Sequence, residues 1–220
     1  MAQRDAIEAA VVTGGHSYEV RNFHRLFRSL KGIEAYIQSL DDYASSPDEA
    51  RDAYDVACFY FMPTEGPTDN GLPWYAGQPR RVLERLGTTK QGILLLHHAL
   101  VAYPEWPRWA ELVGTRKNSF DYHIGESVKV DVATPDHPIT QGTTSWTQVD
   151  ETYEMAGAGE GSEILLTTEH PQSMPTLGWT RRWGEARVFC LQLGHDNDAW
   201  KVQQFREVLR RGLLWCAGRT

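Results

Sequence analysis

A chain of 220 residues with 41% apolar and 23% charged residues has the composition of an ordinary globular protein, long enough to bury roughly 70% of the surface its unfolded form exposes. The formal charge is −7, and the 22 Lys and Arg form nothing larger than the pairs Arg80-Arg81, Arg181-Arg182 and Arg210-Arg211. A nucleic-acid partner is therefore not expected, because phosphate binding needs a basic face. No stretch approaches the roughly 18 consecutive apolar residues of a membrane span, and Met1-Ala2-Gln3-Arg4-Asp5 lacks the apolar centre of a signal peptide, so the expectation is a cytoplasmic protein with no membrane partner.

In chain order, residues 6–12 read as a buried strand closed by Thr13-Gly14-Gly15, with Glu8 its one discordant member. Phe23, Leu26, Phe27 and Leu30 recur at helical spacing, and Gly32 offers a stop before a second strand over 33–39. A short helix starts at Pro47. Residues 54–62 are apolar, aromatic and β-branched enough for a central strand, which Pro63 ends. A Pro- and Gly-containing loop over 64–77 leads to a helix over 79–86 and then to Gly92-Ile93-Leu94-Leu95-Leu96, the most strand-like run in the chain. Strands alternating with helices at these intervals imply a parallel sheet covered on both faces. The second half differs: strand candidates at 128–132, 164–168, 176–179 and 187–193 are separated by loops, which implies antiparallel additions. An amphipathic helix over 202–216, with Phe205, Val208, Leu209 and Leu213 on one stripe, closes the chain. With no internal repeat and no linker, residues 1–220 read as one domain of the α/β class.

Cys58, Cys190 and Cys216 each lie inside an apolar run and are expected to be buried free thiols, not nucleophiles. Ligands of open α/β sheets bind beyond the carboxyl ends of the strands, near the point where strand order reverses. That rule selects Gly14, Gly15 and His16 after the first strand, Thr64 and Glu65 after the third, His97 and His98 after the fourth, and His195 in Gly194-His195-Asp196. A single histidine is usually just a hydrogen-bonded residue, but three strand ends carrying histidine can face one crevice. His24, His123, His137 and His170 have no such placement. Asp150-Glu151-Thr152-Tyr153-Glu154 puts two carboxylates and a phenol together, as acid and base or as a solvated turn. Trp106 and Arg108, in the loop Tyr103-Pro104-Glu105-Trp106-Pro107-Arg108-Trp109, could stack on and hydrogen-bond a sugar.

Several segments taken together resemble one family: Val12-Thr13-Gly14-Gly15-His16, Gly92-Ile93-Leu94-Leu95-Leu96-His97-His98-Ala99, Glu111-Leu112-Val113-Gly114, His137-Pro138-Ile139-Thr140, Asp150-Glu151-Thr152-Tyr153, Gly184-Glu185-Ala186-Arg187-Val188-Phe189 and Leu193-Gly194-His195-Asp196. They occur in the order seen in ThuA-like, or trehalose-utilisation, proteins. The resemblance implies a flavodoxin-like, class I glutamine amidotransferase-like fold and a role in the catabolism of trehalose-related disaccharides, by way of a keto-sugar. It places the family's recurrent positions on His16, His97, Asp150, Glu151, Tyr153 and His195. In glutamine amidotransferases the turn after the central strand holds a cysteine on a strained elbow between glycines. Here that turn reads Leu96-His97-His98-Ala99-Leu100, with neither thiol nor glycine, so glutaminase activity is not expected. The double histidine leaves open which member faces the pocket; the first, which ends the strand, is preferred.

The resulting expectation is an enzyme acting on a sugar or keto-sugar, with His97, His195, Glu151 and Tyr153 catalytic and His16, His98, Asp150, Trp106 and Arg108 binding substrate. The alternative is a non-catalytic carbohydrate-binding or sensing module. His16, His97 and His195 are also candidate ligands for a divalent metal such as zinc, with Glu151 as fourth ligand or base. A homodimer is the default assembly.

Overall fold

The computed structural model describes residues 6–115 and 120–219; the five N-terminal residues considered above for a leader lie outside them. Nine strands form one sheet in the order β2-β1-β3-β4-β9-β8-β7-β5-β6. The strands β1 (Ile7–Gly14), β2 (Ile33–Ser39), β3 (Val56–Phe61), β4 (Gly92–Leu96) and β9 (Ala186–Leu191) run parallel to their neighbours. From β9 outward, β8 (Thr176–Trp183), β7 (Glu163–Thr167), β5 (Asp121–Val132) and β6 (Trp146–Glu154) pair antiparallel. The parallel half and its antiparallel extension are both as the sequence pattern implies.

Side chains alternate across each central strand, and this alternation divides the core in two. Val11, Cys58, Leu94, Leu96, Phe189 and Leu191 face one side and pack under α1 (Val20–Arg28) and α7 (Gln203–Cys216). Val12, Phe59, Ile93, Leu95, Val188 and Cys190 face the other. That side is covered by α2 (Leu40–Ser45), α4 (Pro79–Glu84) and α5 (Pro107–Val113). A further short helix, α3, spans Asp48–Asp52. Helix α1 starts where Glu19 accepts from the backbone N–H groups of Arg21 and Asn22, and Gly32 beyond its end takes φ +79°. All three cysteines are free and buried, and burial pushes each thiol up from its ordinary pKa, so none has thiolate character at neutral pH.

Two segments depart from the sequence reading. The aromatic stretch read as a loop over 103–109 contains the start of α5, with Pro107 in its first turn and Trp109 buried against Phe59, Phe61 and Tyr103. Residues 150–154, read as a paired-acid segment or a solvated turn, are the end of strand β6, in which Asp150, Glu151, Thr152 and Tyr153 are all buried. No helix among the described residues is long and apolar enough to cross a membrane.

The contact between β4 and the end of α7 requires glycine. A Cβ at Gly92 would lie 2.4–2.6 Å from the backbone and Cβ of Cys216, where neither partner can retreat. Gly92→Ala is expected to lower unfolding free energy by about 1–3 kcal/mol in urea denaturation. Gly66→Ala, which meets nothing within 4 Å, serves as control and should change it by less than about 0.5 kcal/mol.

Candidate functional site

The functional groups gather where β1, β3, β4 and β9 end, and each strand delivers its residue by a different local device. The chain leaves β1 to make β2 on one side and β3 on the other, so strand order reverses there. Beyond β1, Gly15 takes φ +70° and passes so close to β3 that a Cβ would sit 2.6 Å from the Met62 carbonyl; this tight crossing delivers His16. Beyond β4, His97 itself adopts φ +51°, a left-handed conformation that costs a non-glycine residue about 1–3 kcal/mol. The strained elbow is thus present although the sequence supplies no glycine for it, contrary to the expectation that its absence would forbid that geometry. Beyond β9 come Gln192, Gly194 and His195. A further contributor, β6, is the outermost strand in hydrogen-bond order, yet its residues bond those after β9, so the antiparallel half curls back over the parallel strand ends.

Asp150 makes that closure. Its Oδ1 accepts from the backbone N–H of Glu151 at 2.9 Å and of His195 at 3.0 Å; its Oδ2 accepts from Gln148 Nε2 at 2.7 Å and from the Gly194 N–H at 2.8 Å. Burial pushes the Asp150 carboxyl up from its ordinary pKa. All four acceptor positions nevertheless face N–H donors, leaving nowhere for a carboxyl proton to point, and the ionised form is the one the geometry fits. The Tyr60 hydroxyl donates to the His195 carbonyl at 2.7 Å and Trp200 Nε1 to the Gly194 carbonyl at 2.8 Å, so the loop bearing His195 is held from three sides. Asp150 therefore builds the site and does not line its cavity, where the sequence reading had it bind substrate.

Behind Glu151 lies His97, fully buried. Its Nδ1 faces the Gln192 carbonyl, which can only accept, so Nδ1 carries a proton. Its Nε2 is 2.9 Å from Glu151 Oε2 and 2.9 Å from the Tyr153 hydroxyl. Toward an ionised Glu151 it donates; a bare Nε2 accepts from Tyr153. Gln192 completes the frame by donating from Nε2 to the Glu151 carbonyl at 2.8 Å. Burial alone would raise the Glu151 carboxyl, but the hydrogen bond and charge of His97, with lesser help from His195 and Tyr153, hold it below its ordinary value. Tyr153 is pushed well above the usual phenol range by burial and by the Glu151 carboxylate, and remains a donor. His195 is pushed down by burial and by His97, which favours neutral imidazole.

The third group is His16, His98 and His195. The His16 ring lies 4.0 Å from that of His98 and 5.9 Å from that of His195, with His98 and His195 5.7 Å apart, centroid to centroid. Of the adjacent pair it is His98, not the preferred His97, that lines the cavity; His97 stands behind Glu151 and Tyr153. The cavity measures about 470 Å³, a size typical of small-molecule sites. Its polar part includes His16, His98, Glu151, Tyr153 and His195, with Glu19 and Asp196, and its apolar walls include Tyr18, Phe120, Tyr122, Ile124 and Trp200.

Trp106 and Arg108 lie elsewhere. Trp106 stacks on Trp109, while Arg108 donates to the Glu84 carbonyl at 2.8 Å and sits over the Trp183 ring. Thr64 and Glu65 are exposed and do not line the cavity, the β3 end contributing Met62 instead. Sequence reasoning missed Tyr60, Gln192 and the apolar wall of β5. Tyr60 and Gln192 sit at strand ends and were within reach of the rule that found the histidines; Tyr122 and Ile124 on β5 carried no such signal.

The profile of the ThuA family, described as trehalose utilisation, matches residues 58–216. A ThuA-like protein from Parabacteroides merdae superposes with a TM-score of 0.74 at 20% identity, covering 98% of this chain and 91% of its own. A second from Bacteroides uniformis gives 0.71 at 16% identity, covering 98% and 94%. PurLQS from Thermotoga maritima, at 0.56 and 15% identity over 96% and 99%, shares the fold, as the sequence resemblance implied. A search of curated proteins gave no match.

The Asp150 closure has a measurable consequence. An Asn at 150 replaces one acceptor oxygen by an NH2 that meets N–H donors on whichever side it turns, leaving buried donors unsatisfied. Asp150→Asn is expected to cost about 2–3 kcal/mol in chemical denaturation. It should also speed amide hydrogen exchange at Gly194 and His195, which His97 and Tyr153 do not contact through the backbone.

Proposed function

The chain belongs to the trehalose-utilisation (ThuA) family, and from that premise we propose that it is an enzyme acting on a neutral sugar or keto-sugar, with Glu151 as the base that faces substrate. The observation carrying this reading is the Glu151 carboxylate, set at the cavity and held from behind by His97 Nε2 at 2.9 Å. A carboxylate kept ionised at neutral pH accepts a proton from a hydroxyl, a water or a C–H acidified by a neighbouring carbonyl. The Tyr153 phenol, with its proton firmly held, donates to a carbonyl or alkoxide oxygen of the substrate. Neutral His195, whose Nε2 is 3.8 Å from Glu151 Oε2, takes or returns a second proton. His97 is not among the residues that line the cavity and acts through Glu151, as a positioning residue.

The lining favours a neutral polyol over an anionic substrate. Among the described residues around the cavity there is no Lys or Arg to neutralise a phosphate or carboxylate, while Glu19, Glu151 and Asp196 are present. Aromatic faces at Tyr18, Phe120, Tyr122 and Trp200 suit the C–H faces of a pyranose. Covalent thioester chemistry has no support here, because the elbow holds His97 and the three thiols are buried within strands or the last helix.

The test is incubation with trehalose, other disaccharides and their keto derivatives, followed by mass spectrometry. On whichever is converted, Glu151→Gln should lower kcat by at least about 100-fold with an unchanged circular dichroism spectrum; retained turnover removes Glu151 from the chemistry. The same aromatic walls also suit a carbohydrate-binding module. Calorimetry on the same panel decides between them: tight binding with every sugar recovered intact establishes the module and ends the enzymatic reading.

A further inference from the structure

Two sets of potential metal ligands share His195. In one, His97, Glu151 and His195 bring ligand atoms within 4.8 Å of each other; in the other, His16, His98 and His195 do. The set expected from sequence, His16 with His97 and His195, is neither, because His97 turns inward. The first set is already satisfied by itself: both nitrogens of His97 are engaged, by Gln192 and by Glu151 with Tyr153, and a cation would have to break that frame.

The second set lacks any such satisfaction. His98 is 1% exposed, and neither Nδ1 nor Nε2 has a hydrogen-bond partner. A buried imidazole lining a cavity with both nitrogens orphaned is a costly arrangement that an ion bound at one of them would partly relieve. In His16, Nδ1 lies 2.7 Å from the Ser17 carbonyl and must therefore carry the proton, which leaves Nε2 with its lone pair free. That is how outer-sphere carbonyls prepare metal-binding histidines. Among the described residues the polar contacts of the His195 nitrogens are those of 3.8 Å to Glu151 and Asp196, too long for hydrogen bonds, so these nitrogens are uncommitted as well. The surroundings are acidic and devoid of Lys and Arg among the described lining residues.

We propose that His16, His98 and His195 form a three-histidine site for a divalent transition-metal ion, zinc being the natural occupant of such a donor set, beside the Glu151 carboxylate. Three neutral imidazoles with a fourth position open to the cavity match the ligand count of catalytic zinc sites. An ion there would acidify a bound water, whose proton Glu151 could accept, and the resulting hydroxide would be a nucleophile in place of the absent thiol. The inference uses the pocket described above but not the identity of its substrate.

The experiment uses tag-free full-length protein, stripped with chelator and titrated with Co2+ alone. Binding of one equivalent, with the intense visible d–d absorption of four-coordinate cobalt, its displacement by Zn2+, and a rise in Tm with zinc are expected. His16→Ala, at a half-buried position outside the core, should weaken cobalt binding by more than the roughly 10–100-fold that loss of an outer-shell partner costs. His98→Ala should do the same, and Glu151→Gln should keep the one-equivalent visible spectrum. No cobalt uptake by the native protein overturns the site. So does uptake that survives His16→Ala but is lost in Glu151→Gln, which assigns the ion to the His97 set. Because no sugar is present, metal binding without turnover of any carbohydrate would fault the substrate reading alone, and turnover by metal-free protein that takes up no cobalt would fault the metal site alone.

Discussion

The site depends on one buried carboxylate. Asp150 is withdrawn from water, and a carboxylate in that position is tolerable only when its acceptor positions are filled. The donors that fill them come from two places: its own strand through Gln148 and Glu151, and the loop after β9 through Gly194 and His195. The solvation requirement of a single side chain therefore fixes the position of β6 against the end of β9. Gln148 is itself oriented, because its Oε1 accepts from Trp146 Nε1 at 2.7 Å and so presents its NH2 to Asp150. With Asp150 in place, Glu151 on the alternate face of the strand is aimed at His97 and His195. The two adjacent acids thus differ: one is spent on structure and the other faces the cavity.

The adjacent histidines differ in the same way. The left-handed backbone at His97 turns its ring inward, where both nitrogens find partners, and swings His98 to the cavity wall, where neither does. The strain at His97 is offset by the hydrogen bond to Gln192 and by the contacts of a fully buried ring that lies 5.0 Å from that of Tyr153. One residue supports the Glu151 carboxylate; its neighbour is left polar, buried and without a hydrogen-bond partner among the described residues.

What the sequence disclosed follows from the physics of each element. The central parallel strands β3 and β4 are buried on both faces and read as unbroken apolar runs, so β4 was placed at its observed bounds and the histidines beyond it could be named. Strand β6 was not legible, because it is a sheet-edge strand whose buried positions are occupied by Gln148, Asp150, Glu151 and Thr152, residues that resemble a solvated turn when their partners are unseen. Trp106 and Arg108 misled for the opposite reason. Aromatic and basic residues between prolines suggest an exposed binding loop, but Pro107 starts a helix, Trp109 fills the core and the Arg108 guanidinium is engaged by Glu84 and Trp183. The choice between His97 and His98 could not be read at all, since it turns on a single backbone dihedral that no residue type dictates.

The same fold carries different chemistry when the elbow residue changes, and here the change can be followed atom by atom. A thiol at position 97 would need its sulfur directed at substrate. The imidazole present instead is directed away from the cavity, bonded to a carbonyl on one side and to a carboxylate and a phenol on the other. The cavity is faced not by the elbow residue but by the groups it supports. Glu151 gains a lowered pKa from that support, while His16, His98 and His195, none of them able to act as a covalent nucleophile as strongly as a thiolate, acquire a position around a common cavity. Such an arrangement is the one from which proton transfer is proposed, and no Lys or Arg among the described lining residues pairs with an anionic substrate. The lining of the cavity and the conversion of the elbow are thus the two observations on which the proposal of an uncharged, hydroxyl-bearing ligand without thiol chemistry rests.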